Sequence, residues 1–177
     1  MSISAKDVKA LRDATGAGMM DAKKALTECD GDMEAATQLL REKGLAKAAD
    51  RGDRENNEGT IALALDGNRA ALVQIKTETD FSAKNEAVTG LAQLLADAVL
   101  ADGPGAIEAH ATQIEDLQVT IKENIAVGSV ERIEAADGNT VDTYLHVQDG
   151  RGVNAVVVEG SGVSKEDLHQ VALHIAF

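Results

Sequence analysis

Apolar residues in the first 45 positions recur three and four places apart, which is the spacing of one face of a helix. Ser4 to Asp7 has the spacing of a capping box and predicts a first helix that ends at Thr15 to Gly18. We expect a second helix over Met19 to Glu28 and a third that begins after Asp32 and ends at Gly44. Three helices this short bury little area, so they indicate a small unit of marginal independent stability.

The pattern changes to short β-prone runs beyond a charged stretch that has no sustained apolar stripe. A hairpin signal at Gly67-Asn68 joins two of these runs, Thr60 to Asp66 and Arg69 to Thr77. Helix-length patterns follow at residues 84–101 and 107–124, with a break at a Gly-Pro-Gly triplet between them.

A second hairpin is predicted further along the chain, because an Asp-Gly-Asn triplet at residues 137–139 again separates two β-prone runs. These runs are Val127 to Ala136 and Thr140 to Val147, and Val153 to Glu159 is predicted as a third strand. A capping-box spacing at Ser164 then starts a closing helix.

Helices and strands in separate blocks predict an α+β fold in which a small antiparallel sheet belongs to the second part of the chain. We place one domain at residues 1–55, comprising the three helices and a linker, and an α+β core domain at residues 56–177. The chain ends in LHQVALHIAF, within an apolar helical pattern, so we expect the helix to dock to its last residue or the natural chain to continue.

Charge narrows the range of partners. The net charge is −13, and residues 56–177 hold 7 basic and 19 acidic residues, against 10 and 11 in residues 1–55. A surface this acidic repels phosphate backbones, and we therefore expect no direct nucleic-acid binding. It favours a basic or mixed-charge protein partner.

The lack of a signal sequence at the start of the chain leads us to expect a cytoplasmic protein. No stretch reaches the length of a membrane span, and the start, MSISAKDVKA, has no apolar signal core. Cys29 has no other cysteine to pair with, and we expect it to behave as a small buried apolar residue.

No catalytic signature is present, which favours a binding module over an enzyme. The four histidines lack metalloprotease spacing, and neither a phosphate-binding loop nor a nucleophile elbow occurs. Glu78 and Asp80 are two apart and are the one carboxylate pair that suggests metal or acid–base chemistry, but no converging partners accompany them. We therefore predict no catalytic residue, no metal and no cofactor.

Two short segments are candidates for binding a partner. Met19 and Met20 are adjacent, so in a helix they point about 100° apart and cannot both face one small core; the alternative is that both pack in the bundle. Phe81 is one of two phenylalanines and lies in a polar segment, KTETDFSAKN. It is either an anchor that fills a pocket on a partner, with Asp80 beside it, or a ring folded under its own loop.

These two segments resemble a known family. LRDATGAGMMDAKKALTECDGDMEAA is similar to the N-terminal signature of bacterial elongation factor Ts, and TETDFSAKN is similar to the second signature of that family. Glu78 stands where Gln is common, and Ser82 stands where Val is common. The resemblance extends over essentially all 177 residues.

The resemblance implies a guanine-nucleotide exchange factor for elongation factor Tu, the GTPase that carries aminoacyl-tRNA. It implies that the first domain is ubiquitin-associated-like. It also implies three groups of contact residues: Thr79, Asp80, Phe81 and Ser82 near the Mg²⁺ site of the partner; Arg12, Met19, Met20 and Lys23 on its G domain; and Ile125 and His146 on another of its domains.

Members of the family also have a second core half and a helical dimerisation hairpin. We therefore expect this chain to be C-terminally incomplete and to form a homodimer only if the missing part is present. Two other functions stay open from the sequence: an adaptor whose first domain recognises a different partner, and a metal-dependent hydrolase that uses Glu78 and Asp80.

Overall fold

The computed structural model describes residues 3–177 and shows helices and antiparallel strands in separate blocks, which confirms the α+β prediction. The helices are α1 Ala5–Thr15, α2 Met19–Glu28, α3 Met33–Ala49, α4 Asp80–Ala83, α5 Glu86–Asp102, α6 Ala106–Ala109, α7 Ala111–Ile121 and α8 Lys165–Ala176. The strands are β1 Glu58–Asp66, β2 Arg69–Thr77, β3 Ala126–Glu134, β4 Asn139–Gln148 and β5 Arg151–Ser161.

The chain divides into two compact units. The first contains the residues up to Asp53 together with Glu115–Glu123, and the second contains Arg54–Ile114 and Asn124–Phe177. The sequence pattern predicts a boundary near residue 55 but does not predict that Glu115–Glu123 belongs to the first unit.

The capping box at Ser4 starts α1 as the sequence predicts. The Ser4 hydroxyl accepts the Asp7 N–H at 3.2 Å, and the Asp7 carboxylate accepts the Ser4 N–H at 3.1 Å. Gly16 ends the helix in the left-handed conformation, with φ of 66°. The core between α1, α2 and α3 is small and rich in alanine; its buried members are Val8, Leu11, Ala22, Ala25, Leu26 and Ala36.

Two predictions for the first unit are wrong in detail. The third helix does not end at Gly44 but continues to Ala49. Gly44 lies inside the helix, where its missing side chain allows Val119 to pack closely. A Cβ atom at Gly44 would lie 2.7 Å from a methyl carbon of Val119. Cys29 is only half-buried, at the edge of the core, because it follows the last residue of α2 and caps that helix.

In the second unit, β1 and β2 form the predicted hairpin, and α5 covers one face of it. Gly67 has a φ of 57° at the first central position of the turn, as a type II′ turn requires. Thr60 pairs with Ile75 and Ala62 pairs with Val73, so one face carries the buried residues of both strands. The apolar stripe of α5 packs on that face; its buried members are Val88, Leu91, Ala92, Leu95, Ala96 and Val99.

The second predicted hairpin is wrong, because β3 does not pair with β4. β3 pairs with β2 and completes a three-stranded sheet in the order β1-β2-β3, whereas β4 pairs with β5 in a separate two-stranded sheet. The hairpin turn is Asp149-Gly150, where both residues have positive φ, 51° and 80°, as a type I′ turn requires. The helical pattern at 107–124 is likewise two helices, α6 and α7, that are separated at His110.

The β4–β5 hairpin lies close to β1 at Gly152. The Arg151 guanidinium donates to the Gly59 carbonyl at 2.8 Å and approaches the Glu58 carboxylate at 2.8 Å. A methyl group at Gly152 would overlap the Ile61 carbonyl oxygen, so only glycine allows the backbones to approach this closely.

The two glycines Gly152 and Gly90 give opposite predictions. Gly152→Ala lowers the free energy of unfolding by about 1–3 kcal/mol, because the added methyl overlaps a backbone atom that cannot move aside. Gly90→Ala raises it by roughly 0.5–1 kcal/mol, because this exposed site in α5 has open space and alanine favours the helix. Urea unfolding followed by circular dichroism measures both, and a Gly152→Ala protein as stable as the parent would contradict the packing described.

Candidate functional site

The segment that follows β2 is held by a buried hydroxyl. The Thr77 side chain is fully buried, and its Oγ1 donates to the Thr79 carbonyl at 2.8 Å. The Thr79 hydroxyl in turn accepts the Ser82 N–H at 3.2 Å and caps the single helical turn of α4. Asp80, Phe81 and Ser82 therefore lie on a short helix with a capped start, and not on a free loop tip.

Glu78 belongs to the scaffold of this segment. Its Oε1 accepts the Asn124 N–H at 2.6 Å and lies 3.6 Å from the Arg54 guanidinium. The Asn124 side chain also donates to the Arg54 carbonyl at 2.6 Å. Glu78 thus ties the end of β2 to the backbone before β3, while Asp80 makes a separate contact, so the two carboxylates are not arranged as one catalytic or metal-binding pair.

Phe81 is the most exposed side chain of this segment. Its ring is 74% exposed, which rules out the alternative that it folds back under its own loop. The buried residue of α4 is Ala83, so the turn rests on a small side chain and directs the large one outward. A large apolar ring so placed costs solvation unless another molecule covers it.

Lys84 contacts both Asp80 and Phe81. Its Nζ lies 3.1 Å from Asp80 Oδ2 and 4.7 Å from the centre of the Phe81 ring, within cation–π range. The hydrogen bond from Lys84 lowers the pKa of the Asp80 carboxyl below its ordinary value, against a weaker opposing effect of desolvation. The charge of Arg151 also favours the ionised form.

In the first unit the candidate residues are on the surface. Met19 and Met20 begin α2 and are 47% and 64% exposed, so the alternative that both pack in the bundle is wrong. Lys23 follows Met19 by four residues on the same side of α2 and is exposed. Arg12 lies in the last turn of α1, where its guanidinium pairs with Asp13.

Ile125 and His146 differ in their exposure. The Ile125 side chain is 1% exposed, so in this conformation it is a core residue and cannot touch a partner directly, which corrects the expectation from the resemblance. His146 lies half-buried on β4, with its ring 6.4 Å from that of Tyr144 and 5.4 Å from that of Phe177.

Lys84, Thr77 and Asn124 are the site residues that sequence reasoning missed. The four-residue spacing of Asp80 and Lys84 is a readable signal, since such pairs meet on one helix face. The Thr77 hydroxyl and the Asn124 amide carry no such signal, because their partners are fixed by the fold and not by nearby positions in the chain.

Residues 3–177 contain neither a cluster of metal-binding side chains nor a helix able to span a membrane. No group of three or more His, Cys, Asp or Glu side chains in this range is placed to hold a metal ion. The helices described in the same range are too short or too polar to cross a lipid bilayer.

Comparison with known proteins assigns the family. The family model described as elongation factor TS matches residues 78–177. The chain is 42% identical over 186 residues to an elongation factor Ts of Cereibacter sphaeroides. The alignment covers 99% of this chain and 61% of that relative. It is 45% identical over 187 residues to the elongation factor Ts of Ruegeria pomeroyi, with 99% and 63% covered.

The elongation factor Ts of Ruegeria sp. strain TM1040 gives a similar match, 45% identity over 186 residues. The chain thus spans between 61% and 63% of the length of the curated relatives named here. The family model covers the region of the second signature, and the alignments to these relatives span both signatures. The chain belongs to the elongation factor Ts family.

Proposed function

We propose that this chain is a guanine-nucleotide exchange factor that binds elongation factor Tu in its GDP-bound form and promotes GDP release during translation elongation in the cytoplasm. The observation that carries the proposal is the exposed Phe81 on a turn whose start is held by hydrogen bonds of Thr77 and Thr79. The chain acts by binding and contributes no catalytic residue, metal or cofactor of its own.

The exposed ring and its neighbouring charge suit a wedge. A GTPase holds GDP through backbone amides around the phosphates and through a Mg²⁺ ion that neutralises them. Phe81 would insert between side chains of the partner near that ion, while Asp80 would bring a negative charge close to the ligands of the metal. Disturbing the ion leaves phosphate charge uncompensated, which weakens GDP binding.

The rigidity of the segment favours this role. A side chain that is already positioned loses little conformational entropy on binding, so more of its contact energy is available to deform the partner. Thr79 and Ser82 supply the capping bond of the turn, and Lys84 holds both Asp80 and the ring. In this proposal Thr79 and Ser82 therefore position the wedge, and Asp80 and Phe81 make the contacts.

Thermodynamic linkage sets the direction of the cycle. If the exchange factor lowers the affinity of the GTPase for nucleotide by some ratio, nucleotide lowers the affinity for the factor by the same ratio. Each factor of ten corresponds to about 1.4 kcal/mol. The factor therefore binds the empty GTPase best and leaves when GTP enters.

The first unit would supply the second contact. Exposed methionines adapt to irregular surfaces, and the same unit carries the cation Lys23 one turn after Met19 and Arg12 in the last turn of α1. We assign this ubiquitin-associated-like domain, residues 1–55, to the G domain of the partner. The complex would be held by contacts at two places. Removing the Phe81 side chain should therefore lower the rate of GDP release more than it lowers the affinity for elongation factor Tu.

His146 would contact a further domain of the partner, and the buried Ile125 would support the backbone near that contact. Direct nucleic-acid or membrane binding is not part of the proposed role, and homodimerisation is proposed only where the helical hairpin implied by the resemblance is present.

Phe81→Ala should slow the release of GDP from elongation factor Tu at least tenfold at a fixed concentration of the chain. The reason is that central aromatic anchors carry a large share of interface energy, often 2 kcal/mol or more. Stopped-flow release of fluorescent GDP measures the rate. Asp80→Asn should give a smaller loss, because it keeps the ring and removes the charge.

The matched control is Leu94→Ala, which truncates another exposed apolar side chain in the second unit and should leave the release rate within twofold of the parent. Circular dichroism and thermal unfolding show whether each variant is folded. If folded Phe81→Ala protein released GDP as fast as the parent, the wedge would be wrong.

Lys84→Met should raise the pKa of Asp80 toward the ordinary aspartate value of about 3.9, because it removes the hydrogen bond that favours the carboxylate. Since the folded-state pKa is the lower one, the stabilisation from this pair is present above the unfolded pKa and is lost as pH falls through the folded value. NMR titration of the Asp80 carboxyl carbon measures the change.

Lys165→Met is the control for that titration, because it removes an exposed lysine from α8, away from Asp80 in the chain, and should leave the Asp80 pKa unchanged. An equal Asp80 pKa in the parent and the Lys84→Met protein would contradict the contact. At neutral pH Asp80 is ionised in both proteins, so any effect of Lys84→Met on GDP release reports orientation and not charge.

A further inference from the structure

The first unit contains a cavity of about 640 Å³, bordered by the α1–α2 loop, α3 and the end of α7. Basic side chains dominate its lining: Lys24, Arg41, Lys43, Lys47, Arg51 and Lys122. Only two acidic side chains, Asp21 and Asp116, line it among the described residues. This local excess of positive charge lies within a chain whose net charge is −13, so the overall composition does not explain it.

Arg51 is the buried cation of the cavity lining. Its side chain lines the cavity and is 9% exposed, and its Nη2 donates to the Gln118 carbonyl at 3.0 Å. Its Nε is buried and, within residues 3–177, has no hydrogen-bond partner. That atom has almost no accessible surface, so a ligand in the cavity would meet the Nη atoms of Arg51. The guanidinium is permanently charged, and its natural partner is an oxyanion.

The other cations fall into two groups. Arg41 pairs with Asp116 at 3.1 Å, and Lys43 pairs with Glu28 at 2.7 Å, so their charges are partly used. Lys24, Lys47 and Lys122 make no ion pair with a described residue. Together with Arg51 they are four positive charges at the cavity without an ion pair to a described residue, and Asp21 offsets one of them.

The backbone at the mouth of the cavity adds donors. Gly16, Ala17 and Gly18 line it, and Gly18 precedes the ten-residue helix α2 without a side-chain cap. The first amides of α2 are therefore not satisfied by a capping side chain, and helix starts of this kind favour negative charge. Asp21 in the first turn supplies part of that charge, which the surrounding lysines outweigh.

We propose that this cavity binds a small phosphate-bearing anion, such as a phosphomonoester or pyrophosphate group, with Arg51 as the central donor. Its volume is in the range of sites for small ligands, and a guanidinium surrounded by lysines matches phosphate better than a single carboxylate. A long polyanion is disfavoured by the acidic chain as a whole. The site involves none of the residues assigned to the wedge, so each assignment can fail alone.

Isothermal titration calorimetry of the 177-residue chain with sodium pyrophosphate, in chloride buffer of constant ionic strength, tests the site. The expected result is saturable binding of one anion per chain. Lys47→Gln should weaken it roughly threefold, as the loss of one partly exposed charge does. Arg51→Gln should weaken it about tenfold or more, as the loss of a charged hydrogen bond does.

Lys9→Gln is the matched control, because it removes one exposed lysine of the first unit that does not line the cavity, and it should bind as the parent does. Since Arg51 also holds Gln118, circular dichroism must show that Arg51→Gln is folded, and Lys47→Gln decides the matter if it is not. Absence of saturable heat, or equal weakening by Lys9→Gln and Lys47→Gln, would overturn the proposal. So would a short single-stranded RNA that binds more tightly than pyrophosphate and displaces it.

Discussion

The hydrogen bond from the buried Thr77 hydroxyl to the Thr79 carbonyl is the constraint on which the candidate site depends. It turns the chain sharply at the end of β2, and Thr79 then caps the single turn of α4. The carboxylate of Glu78 fixes the same corner to the backbone at Asn124. With the backbone held at three consecutive residues, α4 presents the Phe81 ring to solvent.

This arrangement explains how an apolar ring persists in solvent. Exposed phenylalanine offers no stability to the isolated chain, so its position is maintained by neighbours that have other functions: a threonine in the core, a glutamate on the scaffold and a lysine over the ring. A surface of this kind stores binding energy that is released only when a partner covers it. The proposed exchange function needs this contact energy, because the chain would have to compete with a tightly bound nucleotide.

The sequence predicted those parts of the fold that local chemistry decides. The capping box at Ser4, the side-chain cap of Ser164, the Gly67 hairpin and the stripe of α5 follow from residues within a few positions of one another. The pairing of β3 was mispredicted because two Asp-Gly turns compete in the sequence, and the choice between them depends on the distant β2.

The candidate site divides in the same way. Asp80, Phe81, Met19 and Met20 were found from their position and type, and their exposure agrees with contact roles. Ile125 was expected at a contact and is buried, since its place in the core depends on how β3 approaches the sheet. The donors of the basic cavity come from helices far apart in the sequence, so no local pattern reveals them.

The proposed function requires that this chain speeds the release of GDP from elongation factor Tu. The most direct measurement is stopped-flow release of fluorescent GDP from elongation factor Tu, with and without the 177-residue chain. If the chain is an exchange factor, the release rate rises with the concentration of the chain and then saturates as the complex forms. A release rate that stays at its unassisted value at every concentration of the chain would contradict it.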